Sequence, residues 1–142
     1  VSGFWSSSSG GCAEVSLRAL RSADTEWTNV PNASTGYAFG EIVWTWVPFG
    51  ERGGHGKDRP CVVVGSVSDR GDLLMVYLTS RDHDDDAEHL FLGYGSWDRS
   101  DRGSWAQVRR LFQVHHTEVR DGGAALDRMQ ARALRRTLRL SD

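Results

Sequence analysis

The stretch Gly56-Lys57-Asp58-Arg59-Pro60-Cys61-Val62-Val63-Val64-Gly65 sets an arginine at the mouth of an apolar run. A guanidinium is a planar, permanently charged fork whose parallel N–H donors fit the oxygens of a phosphate. Pro60 fixes the backbone just after Arg59, so the charge is held at a rigid strand entrance. Taken alone, Arg59 also fits an ordinary surface arginine at a strand start. Thr79 and Ser80 close a second apolar run, "DLLMVYLTS" at 72–80, and their hydroxyls can serve the same anion or simply end a strand with polarity. Ahead of Arg59, the loop "GERGGHGKD" at 50–58 carries four glycines, and in it Glu51 and His55 are the groups able to transfer a proton. This loop imitates a phosphate-binding P-loop. The motif needs glycine where Glu51 stands and Ser or Thr where Asp58 stands, so ATP binding is rejected.

No stretch completes a known metal-binding motif. The run "DHDDDAEH" at 82–89 would need glycine and glutamate at the sixth and twelfth positions of an EF-hand, and those are Ala87 and Gly93. It reads as a solvated acidic loop, with a casual divalent-cation site as the lesser alternative. His115 and His116 lack a Cys or His partner at zinc-ligand spacing and are placed at a strand end.

The elements that must position these residues are mostly short strands. Residues 41–47 alternate, with Ile42, Trp44 and Trp46 on one face, while 61–67 and 72–80 are apolar on both faces. Ser68-Asp69-Arg70-Gly71 supplies the turn of a hairpin between the last two. Further strands are predicted over 88–93 and 107–114, separated by the polar segment "YGSWDRSDRGSW". Five strands over about 75 residues suggest a small barrel or strongly bent sheet. Asp127 and Gln130 form a capping-box pattern opening a helix over 127–140. Met129, Ala133 and Leu140 would share its packed face, flanked by Leu134 and Leu138, with Arg128, Arg132, Arg135, Arg136 and Arg139 opposite.

At 142 residues the chain fits one domain with one core. Residues 1–36, rich in Ser, Gly, Ala, Thr and Asn, read as a loosely ordered polar lead with at most a short helix over 13–23, and 37–142 as the folded domain. Deleting the lead is expected to leave stability intact. A net charge of −2 excludes a generally basic nucleic-acid surface, so any such contact must be local. Cys12 and Cys61 occupy different sequence contexts, one in the polar lead and one opening a strand, which argues against a disulfide framework. No apolar run reaches the roughly 18 residues of a membrane span, and no signal-peptide pattern opens the chain, so no membrane contact and a cytoplasmic location are expected.

Four pieces in register carry a resemblance across about residues 39–140: Gly40-Glu41-Ile42-Val43-Trp44, Arg59-Pro60 followed by Val62-Val63-Val64, Leu78-Thr79-Ser80, and Ala125-Leu126-Asp127 opening the last helix. Together they resemble the MazF/PemK family of toxin endoribonucleases, and "GKDRP" with "GSWDR…SW" looks like its PemK-like members. The resemblance implies a mainly β fold, an SH3-like β-barrel with a C-terminal helix, usually a homodimer, that cleaves single-stranded RNA without a metal or other cofactor and is silenced by a cognate antitoxin. It implies Arg59 at the phosphate with Thr79 and Ser80 beside it. Glu51 or His55 would be the general base, and Gly56, Lys57, Trp97 and Trp105 would meet RNA. The two tryptophans can stack on unpaired bases or cover the barrel mouth. Gly54 stands where many members carry an acidic residue, and residues 109–115 read "RRLFQVH" where a "D-R-V-L-R-V-D" pattern is common, which leaves the base open. The alternatives are a toxin of the same fold that grips a protein target such as DNA gyrase, or a catalytically silent interaction module.

Overall fold

The computed structural model describes residues 11–48, 56–80, 86–100 and 102–140. Among these the strands are β1 (Ala13–Val15), β2 (Thr25–Glu26), β3 (Glu41–Pro48), β4 (Gly56–Val67), β5 (Asp72–Thr79), β6 (His89–Gly93), β7 (Ser104–Gln107), β8 (Leu111–His115) and β9 (Arg120–Ala125). One α-helix, α1 (Arg128–Thr137), follows them, and 3-10 turns cover Leu17–Arg21 and His116–Glu118. The architecture is mainly β with a C-terminal helix, as the sequence implies. The sheet is antiparallel and not closed: its path runs β1-β8-β5-β4-β3-β9, with β2 added on β4 and the β6–β7 pair on β5.

β3, β4 and β5 form the centre. β3 and β4 pair from Ile42↔Val62 to Pro48↔Gly56, and β4 and β5 pair from Cys61↔Tyr77 to Val67↔Asp72. Between β4 and β5, Gly71 takes the positive φ of 70° that closes the expected turn. The fully apolar runs of β4 and β5 are explained by cores on both faces. Val62, Val64, Leu74, Val76 and Leu78 point into one, and Cys61, Val63, Leu73 and Met75 point into the other with Phe112 and Val114.

Three sequence expectations change. The strand expected over 107–114 is two strands laid end to end along β5, which pairs with β8 through Asp72–Met75 and with β7 at Leu78↔Ala106 and Thr79↔Trp105. The chain bends between them, where the Gln107 side chain accepts a hydrogen bond from the Arg109 N–H at 2.6 Å. β9, "RDGGAA", has no strand signature and exists because it completes the edge of β3. A Cβ on Gly122 would lie 2.7 Å from the Ile42 carbonyl oxygen, so glycine permits that close approach at the irregular step after Ile42.

On α1 the capping box forms as read: Asp127 Oδ1 accepts from the Gln130 N–H, and Gln130 Oε1 accepts from the Asp127 N–H. The buried face differs. Leu134, Leu138 and Leu140 enter the core, whereas Met129 is 81% exposed and Arg135 is buried. The Gln130 amide donates to the carbonyls of Leu92 and Tyr94, so Gln130 rather than Met129 faces β6 and the residues after it.

The third change concerns the lead. Residues 11–36 are docked on the sheet. β1 pairs with β8 and β2 with β4, Leu20 is fully buried, and Trp27 packs on the same core. No helix among the described residues is long and apolar enough to cross a membrane.

Candidate functional site

β4 and β5 stay paired only as far as Cys61↔Tyr77. Beyond that point β4 continues on β3 alone, and β5 continues on β7. The parting strands open a cavity of about 650 Å3. Lys57, Asp58, Arg59 and Pro60 line it from β4, and Leu78, Thr79 and Ser80 line it from β5. The segment after β6 adds Trp97, Asp98, Arg99 and Arg102, while β9 adds Arg120, Asp121 and Gly122.

Arg59 sits two residues before Cys61, and Thr79 two after Tyr77. Since Cys61 opposes Tyr77, both side chains leave the sheet on one face. The Arg59 guanidinium carbon lies 4.8 Å from the centre of the Tyr77 ring, a cation–π contact that orients a half-buried charge. Its backbone carbonyl accepts from the Cys61 thiol at 3.7 Å. The structure brings Arg59, Thr79 and Ser80 together on the wall of one cavity, and Lys57 joins them on the exposed rim.

Other expected residues are distributed differently. Trp97 lines the cavity but is 5% exposed, and its indole N–H donates to Ser104 Oγ at 2.9 Å. Its ring is packing. Trp105 is outside the cavity wall, beside Phe91 at 4.7 Å between ring centres. Gly56 does not line the cavity. A Cβ there would lie 2.5 Å from the Val47 carbonyl oxygen and 2.7 Å from Trp46 Nε1, so glycine is required to bring the ends of β3 and β4 together. Glu51 and His55 lie outside the described residues, as do Asp82, His83, Asp84 and Asp85 of the acidic run.

Sequence reasoning missed the carboxylates of this cavity. Asp58 pairs with Arg120 across β4 and β9, Asp98 accepts from Arg102 Nε at 3.2 Å, and Asp121 accepts from the Gly123 N–H at 2.8 Å. Asp58 and Asp98 stood inside the quoted "GKDRP" and "GSWDR", so their types were visible, but their convergence required the fold. Described cationic side chains on the wall, Lys57, Arg59, Arg99, Arg102 and Arg120, outnumber the carboxylates Asp58, Asp98 and Asp121. A local positive excess thus appears in a chain of net charge −2. Such a wall suits an anionic backbone, with hydroxyls and carboxylates available for hydrogen bonding and proton transfer.

Among the described residues no cluster of His, Cys, Asp and Glu has the arrangement of a metal site. The family profile described as PemK-like, MazF-like toxin of type II toxin-antitoxin system matches residues 38–141. No curated protein matches the chain. With a match that covers most of the chain and includes β3 through α1, the protein belongs to the PemK-like, MazF-like family of toxins of type II toxin–antitoxin systems.

Proposed function

We propose that this protein is the toxin of a toxin–antitoxin pair and acts as an endoribonuclease on single-stranded RNA. The observation that carries the reading is the convergence of Arg59, Thr79 and Ser80 on one cation-lined cavity at the point where β4 and β5 part. In this reaction the ribose 2′-oxygen attacks the adjacent phosphorus. A P–O2′ bond forms, the P–O5′ bond breaks, the 2′-OH proton passes to a base, and the departing 5′-oxygen takes up a proton. The products are a 2′,3′-cyclic phosphate and a 5′-hydroxyl.

Arg59 is suited to the nonbridging oxygens, where its fork meets the charge that grows in the transition state. Thr79 and Ser80 hold the same phosphate through their hydroxyls. Glu51 and His55, in the segment between β3 and β4, remain the proposed proton-transfer groups, and Asp58, Asp98 and Asp121 are carboxylates already at the cavity. A homodimer and a cognate antitoxin covering this mouth complete the proposal, and no cofactor is required by the chemistry.

Incubation of the purified protein with a long unstructured RNA in EDTA is the direct test. Fragments with 5′-hydroxyl ends are expected. Arg59→Lys should keep the fold and lose most activity, because a point charge does not reproduce bidentate contact. Intact RNA, or near-normal cleavage by a folded Arg59→Ala protein, overturns the reading, and intact RNA with stalled DNA gyrase would favour a protein target instead.

A further inference from the structure

An exposed aromatic strip leads away from the cavity. Thr79 opposes Trp105 on β7, and Trp105 opposes Phe91 on β6. Paired residues of antiparallel strands project to the same face. That face is the outer one here, because the alternate residues Leu78, Ala106 and Leu92 are buried in the core. Phe91 lies against Trp105 at 4.7 Å, and Tyr94 meets Phe91 edge-on at 6.1 Å. Phe91 and Tyr94 are 46% and 61% exposed. Beneath them, a Cβ on Gly103 would lie 2.7 Å from Phe91 Cε1, so this glycine makes room for the ring. Three adjoining aromatic side chains gathered on a solvent face are an apolar surface in search of a flat partner.

We propose that Trp105, Phe91 and Tyr94 form a stacking subsite for unpaired nucleobases of the RNA strand whose phosphate occupies the Arg59 cavity. The proposal rests on the nuclease reading above for its ligand. Continuity argues for that ligand: Thr79 is both a wall of the cavity and the cross-strand partner of Trp105. Charge argues the same way, since Arg102, on the cavity wall, directly precedes Gly103 under the strip. A backbone can follow the cations while its bases lie on the rings, which is the usual division of labour in single-strand binding. The path from Thr79 to Phe91 is two strand spacings, roughly 10 Å. It therefore serves bases close to the cleaved bond.

The test is binding of a fully 2′-O-methylated single-stranded oligonucleotide, which lacks the nucleophile, compared with an abasic strand of equal length. Fluorescence anisotropy with the intact protein reports both. Phe91→Ala and Tyr94→Ala should each weaken binding of the base-bearing strand about 10-fold, and leave the abasic strand unchanged. Both are surface changes, so the fold is retained. Arg59→Ala should weaken both strands. Unchanged affinity in both aromatic variants, or equal wild-type affinity for the two strands, overturns the subsite. So does loss of antitoxin binding or of dimerisation with RNA binding intact, which would assign the strip to a protein partner. Base-dependent binding without cleavage of natural RNA would sink the nuclease reading and keep the strip, whereas cleavage with unaffected variants would do the reverse.

Discussion

Arg59 and Cys61 are two residues apart on one strand and their surroundings give them opposite fates. The arginine stands where β4 leaves β5 and keeps contact with solvent, whereas the thiol is buried among Val43, Val63 and Met75. Cys12 reaches the same cluster from the lead, although the two cysteines share no context along the chain. Both thiols are free. Burial pushes the Cys61 thiol well above its ordinary value and the Cys12 thiol up to about 12. At neutral pH neither is a thiolate, so neither is a nucleophile. For an acid held protonated by the fold, the stabilisation is complete below the unfolded value of 9.0 and is lost as pH rises toward the folded value near 12, since only the unfolded chain releases its proton in that window. Urea unfolding at pH 7.5 and pH 10.5 should therefore show lower stability at the higher pH, with a smaller drop in Cys12→Ala. Equal drops in wild type and variant would show that this thiol does not set the alkaline limit. Arg59, Thr79 and Ser80 were legible because each sits beside a local signal, a proline or a strand end. Asp121 was not, because nothing near it in sequence marks the β3 edge it lies on.

The same contrast between local and remote causes decides how α1 is oriented. Its start was readable, since a capping box is written within four consecutive residues. Its packed face was not, because a helical wheel assigns every arginine to solvent. Arg135 Nη2 donates to the Trp27 carbonyl and to Asn29 Oδ1, each at 2.8 Å, and its guanidinium carbon stands 4.1 Å from the Phe39 ring centre. A long side chain buries its stem while its head finds acceptors, and those acceptors lie in the lead. Arg21 returns the contact by donating to the carbonyls of Leu138 and Arg139 at the helix end. Arg135→Ala strands two acceptors and opens a gap, and should cost about 1.5–3 kcal/mol. Arg132→Ala, on the exposed face, should stay within about 0.5 kcal/mol. Chemical denaturation of the two variants checks this, and equal losses would mean that the clasp contributes nothing specific.

At the scale of the whole molecule, the family match begins at residue 38, yet the core does not. Strand β3 announced itself by alternation and strands β4 and β5 by unbroken apolar runs, whereas the lead enters the fold through ladders of three and two residues that no periodicity can reveal. Its contribution comes from single buried groups with remote partners. Leu20 is 1% exposed, Trp27 donates its indole N–H to the Leu20 carbonyl at 3.1 Å, and Thr35 shares a buried hydrogen bond with Ser66 of β4. Removing residues 1–36 therefore strips β1 from the edge of β8, exposes the core face beneath Leu20 and Trp27, and leaves Arg135 without its acceptors. The expectation that the lead is dispensable reverses. The truncated chain should lose cooperative thermal unfolding or melt far below the intact protein, and Leu20→Ala in the full chain should alone cost about 2–5 kcal/mol through the cavity it leaves. Calorimetry of both distinguishes a docked lead from an accessory one. A truncated protein with an unchanged melting temperature and intact RNA cleavage would show that residues 38–141 carry their own core, and that the contacts of the lead add nothing to it.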